Sequence, residues 1–190
     1  MDDIWSEVFG EMLENTGSGV ISTEDQAEQP EDLKSAIERF LQEAELQYDY
    51  FDDKQNFRIL FSLDAQIKEL SVIIRLLSDK DCYLLSAFPV LPWENNDSEI
   101  KRTMAEFICR INDGMLFGSF GLDMNDGELA YHYFTDCDGH IPSQDKIAHS
   151  VASACEAVKK YSDGFIGIML EIFTAEEAEE YCEKENKESS

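Results

Sequence analysis

Hydrophobic positions along the chain change from a helical period to a strand period and back. A first helix is predicted directly after Pro30, because apolar residues recur at intervals of three and four positions. This stripe consists of Leu33, Ala36, Ile37, Phe40, Leu41 and Ala44. Residues 57–63 then alternate around Arg58 and Ser62 and predict a half-buried strand, Val72, Ile74 and Leu76 continue the pattern in a second strand, and residues 83–88 predict a third. Since the segments between them are too short for parallel crossovers, we expect an antiparallel meander.

A second helix and a β-hairpin are predicted next. The buried stripe of the helix consists of Ile100, Met104, Phe107, Ile108 and Ile111. In the hairpin, a two-residue turn at Asp126-Gly127 would suit the Asp-Gly preference of type I′ turns. It would pair Met124 with Leu129, Leu122 with Tyr131 and Phe120 with Tyr133. A four-residue loop would keep the same side chains on each face, whereas a three-residue loop would mix the faces, so we expect an even-length loop.

The C-terminal part of the chain is predicted to be helical at first. Pro142 and Ser143 open a helix that Gly164 is expected to interrupt. Its inner face consists of Ile147, Ala148, Val151, Ala154, Cys155 and Val158. Residues 165–173 are apolar nearly all round and predict either a buried helix or a last strand. Residues 174–190 are rich in Glu and predict an acidic, fraying helical tail.

These elements predict one α+β domain over residues 31–173. The predicted order is helix, three strands, helix, two strands and helix. An antiparallel sheet of about five strands would carry the helices packed against it. A chain of 190 residues is long enough to bury a hydrophobic core of this kind.

The central stretch resembles a known family. A helix ending in Arg110-Ile111-Asn112, followed by LFGSFGLDMNDGELAYHY, resembles the core of the YbjN-type family of bacterial proteins, which are assigned to sensory-transduction regulation. The resemblance covers residues 33–170 and is sharpest over 108–133. It implies a fold related to type III secretion chaperones, a helix over residues 165–173, and a homodimer. It implies no catalytic residues.

Charge narrows the range of partners. The net charge is −26, and residues 1–30 hold eight acidic residues with neither Lys nor Arg. Such a chain repels phosphate backbones and anionic lipid, so we expect no direct binding to nucleic acid or membranes. Basic or amphipathic protein partners fit this charge better.

Residues 1–14 form an acidic segment with one apolar face at helical spacing. The six residues of this face are our candidate partner-binding residues: Ile4, Trp5, Val8, Phe9, Met12 and Leu13. The segment either docks on its own domain, engages a partner or a second subunit, or stays frayed. Residues 15–30 are rich in Gly, Ser, Thr and acids and predict a flexible linker. Trp93 is a second possible contact, with a buried loop anchor as the alternative.

Cysteine usage indicates a reducing compartment. The five cysteines include no CxxC pair, and the chain shows neither a signal-peptide pattern nor an apolar run of about twenty residues. We therefore expect a cytoplasmic protein with reduced thiols.

Residues that suggest a metal or catalytic site are better explained by structural roles such as turns. His132, Asp136, Cys137, Asp138 and His140 are ligand types without the paired spacing of a zinc site, so we expect no metal. The run from Asp123 to Gly127 lacks the glycine position and the final Glu of a calcium loop, so it predicts a turn. Phosphate-loop and nucleophile-elbow motifs do not occur in the sequence, and we expect neither a cofactor nor an enzyme.

The sequence therefore favours a non-catalytic, protein-binding regulatory or chaperone-like adaptor. It would engage a client through an apolar surface with an acidic rim. Two alternatives remain: an acidic mimic of nucleic acid, and a small enzyme whose site has no recognisable motif.

Overall fold

Four α-helices, six strands and one short 3₁₀ helix (Ser78–Lys80) make up the described part of the chain, which covers residues 32–91 and 97–188 of the computed structural model. In chain order the α-helices and strands are α1 (Leu33–Glu43), β1 (Tyr48–Phe51), β2 (Asn56–Ser62), β3 (Glu69–Leu77), β4 (Cys82–Pro89), α2 (Ser98–Asp113), β5 (Ser119–Leu122), β6 (Leu129–Asp136), α3 (Gln144–Met169) and α4 (Ala175–Glu188). The α+β class and the approximate order of elements are confirmed.

The strands form one antiparallel sheet in the order β1-β2-β3-β4-β6-β5. Strands β1 to β4 are the predicted meander, extended by one strand, so the described sheet has six strands and not about five. The additional strand is β1, whose Tyr48 and Tyr50 rings pack against Phe57 of β2. The sheet therefore ends at β1 on one side and at β5 on the other.

In the hairpin of β5 and β6 the predicted side chains share each face, but the two strands pair in a different register. Leu122 pairs with Leu129 and Phe120 with Tyr131, so the pairs predicted from a two-residue turn are wrong by two positions. The loop has four residues, because the amide of Asp123 donates to the carbonyl of Glu128 at 2.9 Å. The amide of Gly127, whose φ is +83°, also donates to the carbonyl of Asp123 at 2.7 Å and closes the wider turn.

All four helices lie on one side of the sheet, and the core lies between them and the inner sheet face. The inner face presents alternate residues of each strand, among them Phe57, Val72, Leu85 and Tyr131, which are fully buried. Asp32 caps α1 by accepting a hydrogen bond from the amide of Ser35 at 2.8 Å. The apolar stripes of α1 and α2 face this core as predicted.

Helix α3 is continuous, so the expected interruption at Gly164 is wrong. Gly164 lies where α3 meets its neighbours: a Cβ there would be 2.5 Å from Phe107 Cζ and 3.0 Å from Cys182 Sγ. The missing side chain lets the helices approach. The helix expected within residues 165–173 ends at Met169.

The acidic C-terminal stretch continues the folded structure beyond residue 173. Helix α4 buries Ala175, Ala178 and Cys182 against α2 and α3. Arg110 of α2 forms an ion pair with Glu179 of α4 at 3.2 Å. A Glu-rich sequence thus forms a packed amphipathic helix, because its small residues recur on one face.

Candidate functional site

The side of the sheet opposite the helices carries apolar side chains that none of the described helices covers. Leu60 is 66% exposed and Phe134 is 59% exposed. We call this side the outer face; its apolar residues include Leu60, Ile73, Leu84, Phe88, Ala130 and Phe134. A solvent-facing side of an antiparallel sheet is normally polar, so these residues need an explanation.

The sequence of the central strands accounts for this face. Successive residues of a strand point to opposite sides of the sheet. Ile73-Ile74 in β3 and Leu84-Leu85 in β4 are neighbouring apolar pairs, so one member of each points outward. Strands that are apolar on both sides are typical of sheets covered on both faces. The outer face therefore carries more apolar side chains than a solvent-facing sheet normally does, interspersed with polar residues such as Ser71 and Ser86.

A groove of about 750 Å³ runs across the outer face from β2 to β5, and we call it the outer groove. Its apolar wall includes Ile73, Leu84, Phe88 and Ala130. It has two ends of opposite charge: one holds Lys54 and Arg75, and the other holds Asp123 and Glu128. An amphipathic segment lying in the groove would thus meet a cationic end and an anionic end.

Two cations, Lys54 and Arg75, line the groove of this acidic chain. Neither Lys54 nor Arg75 forms an ion pair with a residue that the structure describes. Arg110 and Lys160, on the helical side, are paired with glutamates. Lys54 and Arg75 are exposed beside apolar side chains, where they are available to an acidic partner group.

A polar pair lies within the groove. Ser86 Oγ and His132 Nδ1 are 3.0 Å apart across β4 and β6. Burial lowers the pKa of His132 from its usual value, while the nearby Glu128 opposes this shift. The imidazole is therefore neutral at pH 7 and links two strands. Among the hydrogen bonds of the described residues, none joins a carboxylate to this ring, so the pair lacks the orienting group of a catalytic triad.

Comparison with protein families agrees with this architecture. The family model for YbjN, described as "Putative bacterial sensory transduction regulator", matches residues 34–167. The chain belongs to the YbjN family. The match covers the six-stranded sheet and the first three helices almost completely, and it confirms the resemblance found in the sequence.

One solved structure shows a distant likeness to this YbjN-family chain. A chain of the crystal structure of the ExsC–ExsE complex shares 15% sequence identity with it, at a TM-score of 0.47. The match covers 69% of this chain and 94% of that chain. At this identity the likeness concerns the fold alone. A search of curated proteins gives no significant match.

The partner-binding residues predicted from the sequence lie outside the described part of the chain. This holds for Ile4, Trp5, Val8, Phe9, Met12 and Leu13, and also for Trp93. The outer groove was missed because the strands were interpreted as half-buried. The adjacent apolar pairs Ile73-Ile74 and Leu84-Leu85 were the signal that could have revealed it.

The residues of metal-ligand type are dispersed. His132 faces the outer groove, whereas Cys137 is buried and its amide donates to the carbonyl of Asp81 at 3.1 Å. His140 Nδ1 lies 2.6 Å from the carbonyl oxygen of Asp138. Within residues 32–91 and 97–188, no three His, Cys, Asp or Glu side chains are grouped as a metal site. Over the same residues, no helix has the length and apolar character needed to span a bilayer.

Two smaller apolar surfaces lie on the helical side. The loop before β5 exposes Leu116 at 90% and Phe117 at 52% above a hollow of about 520 Å³. The Phe117 ring packs edge-on against His149, with centroids 4.8 Å apart. Leu170 and Ile172 are exposed between α3 and α4. The hollow beside Leu116 and Phe117 is smaller than the outer groove, at about 520 Å³ against about 750 Å³.

Proposed function

We propose that this YbjN-family chain is a non-catalytic, protein-binding regulatory module that engages a segment of a client protein in the outer groove. The observation that carries this proposal is the apolar wall of the outer groove, formed by Ile73, Leu84, Phe88 and Ala130, which no described helix covers. Contiguous exposed apolar surface on a soluble domain marks interaction sites.

The two ends of the groove define the client's chemistry. Burial of its apolar side chains against Leu84 and Phe88 supplies most of the affinity. Lys54 and Arg75 at one end and Asp123 and Glu128 at the other select the orientation. A client segment with an apolar stripe and opposite charges at its two ends fits both features.

Affinity capture from native lysate tests this proposal, using the full chain with Leu84→Ser and Phe88→Ser in the wall of the outer groove. We expect a client that is retained at high salt by the natural chain and lost by the variant. Leu170→Ser serves as the matched control, because Leu170 is 63% exposed on the helical side. Equal capture by both variants would contradict the proposal. A partner that dissociates in high salt and binds both variants as well as the natural chain would favour the nucleic-acid mimic instead.

A homodimer in the cytoplasm is the second part of this proposal, and the family resemblance supports it. Sedimentation equilibrium of the full chain measures the oligomeric state directly. A mass twice that of the 21.7 kDa chain is expected. A monomer at every concentration would overturn the dimer and leave client binding by a single chain intact.

A further inference from the structure

The chain itself contains a segment whose chemistry matches the apolar wall and the cationic end of the outer groove. We propose that residues 1–14 dock in the outer groove of the same chain. The segment combines an apolar stripe, which includes Trp5, Phe9 and Leu13, with five acidic residues and neither Lys nor Arg. The groove combines an apolar wall with Lys54 and Arg75, which have no ion-pair partner among the described residues.

The chain enters the fold beside an edge of the sheet, which leaves the outer face within reach of this segment. Helix α1 begins at Leu33, and the Nζ atom of Lys34 lies 4.0 Å from the centroid of the Tyr50 ring on β1. Strand β1 is an edge of the sheet, so the chain needs to pass round only this edge to reach the outer face. The connection from residue 15 to residue 31 spans up to about 56 Å when extended, and averages about 23 Å as a flexible coil.

The dimensions of segment and groove agree. Fourteen residues in the helix that their spacing predicts extend about 21 Å. The groove runs from β2 through β3, β4 and β6 to β5, which amounts to four strand spacings or about 19 Å. The helix can therefore lie across the strands along the whole groove.

Charge favours this segment at the cationic end of the groove only. The acids of residues 1–14 gain contact with Lys54 and Arg75, whereas Asp123 and Glu128 disfavour them at the other end. A tethered segment has an effective concentration in the range of about 1 mM, so it competes with any client for the groove. This competition rests on the proposed function; the docking itself does not.

Fluorescence of Trp5 tests the docking in the full chain. The chain has two tryptophans, so Trp93→Phe leaves Trp5 as the only one. We expect the emission of Trp5 to be blue-shifted, and its quenching by acrylamide to be weaker, than in a synthetic peptide of residues 1–14. Combining Lys54→Glu with Arg75→Glu should abolish this protection. Lys68→Glu with Lys159→Glu, which changes the net charge equally at exposed sites outside the groove, should preserve it.

A charge swap distinguishes the loss of a charge contact from a folding defect of the variant. Adding Glu7→Lys and Glu11→Lys to the chain with the reversed groove should restore the protection of Trp5. Equal protection of Trp5 in the variant with the reversed groove charges and in the control variant would overturn the proposal. So would the absence of protection in the chain that carries Trp93→Phe alone. Loss of protection on dilution would place the segment of a second copy in the groove and would also overturn it. None of these results depends on a client, so they leave the proposed function to its own experiment.

Discussion

The side chain of Asn112 forms two hydrogen bonds with the backbone of Phe120. Asn112 Nδ2 donates to the carbonyl oxygen of Phe120 at 2.9 Å, and the amide of Phe120 donates to Asn112 Oδ1 at 2.9 Å. The side-chain amide thus occupies the place of a neighbouring strand at the edge of β5. It fixes the end of α2 to the hairpin whose β6 strand forms part of the outer groove.

Replacing Asn112 with Ala should lower the free energy of unfolding by about 1–3 kcal/mol, because two backbone groups at a part-buried edge lose their partner. Urea denaturation measures this change. Asp113→Ala is the matched control, since Asp113 is the exposed next residue on the same helix. Equal stability of the two variants would show that water replaces the Asn112 amide without cost.

Replacing Gly164 with Ala should destabilise the fold although Ala is the better helix former by about 1 kcal/mol. The added Cβ would lie 2.5 Å from Phe107 Cζ, so we expect a net loss of about 1–3 kcal/mol in the free energy of unfolding. Thermal or urea denaturation provides the measurement.

Gly114→Ala is the control for this prediction, because the nearest atom to a Cβ there is 3.9 Å away and its φ is −92°. We expect it to change stability by less than about 0.5 kcal/mol. Phe107→Leu should cost less in the Gly164→Ala background than in the natural chain, since the smaller side chain removes the clash. A Gly164→Ala protein that gains stability would refute the close packing of α2, α3 and α4.

Stability should depend on pH through His132. Burial lowers the pKa of His132 in the folded state, so acidification protonates the unfolded chain first. The contribution of this residue is therefore complete above the unfolded pKa of about 6.5 and is lost as the pH falls toward the folded value. His132→Gln should reduce the loss of stability between about pH 7.5 and about pH 5.5.

Urea titrations at the two pH values provide this measurement, with the exposed His140→Gln as the control. The difference between the two pH values should shrink for His132→Gln relative to the control. An unchanged or larger difference would mean that His132 is protonated as readily in the folded chain as in the unfolded one.

The packing of helix α4 on the domain should depend on the small buried residues of this helix. Ala178 is fully buried, so Ala178→Asp places a carboxylate among apolar neighbours and should release α4 from the domain. Limited proteolysis should then cut first between residues 169 and 175. The variant Glu176→Asp, which changes an exposed position of the same helix, should resist proteolysis as well as the natural chain does. Equal resistance of both variants would contradict the packing of α4.

Local periodicity was sufficient to predict most elements of the sheet and the core face of each helix. The alternation around Phe57 and Ile59 and the helical stripe around Phe107 depend on local sequence alone. Strand β1 was missed because it has only four residues and is held by tyrosine rings packed on Phe57. The continuity of α3 through Gly164 depends on close contact with Phe107 and Cys182, which periodicity does not reveal.

The outer groove could be predicted only in part. Outward-pointing residues such as Ile73 and Leu84 are visible in the sequence as members of apolar pairs. That no described helix covers them follows from the placement of all four helices on the other face, which is a tertiary property. That Lys54 and Arg75 line the same end of the groove likewise requires the pairing of Asn56 in β2 with Arg75 in β3.

Site-specific photo-cross-linking tests the central claim, that the outer groove binds a client, most directly. A photoreactive amino acid replaces Leu84 in the groove or, as the control, Leu170 on the helical side, and the full chain is irradiated in its native cells. We predict a discrete cross-linked client protein from position 84 that is missing from position 170. The same client from both positions, or a client from position 170 alone, would contradict the assignment of the outer groove as the binding site.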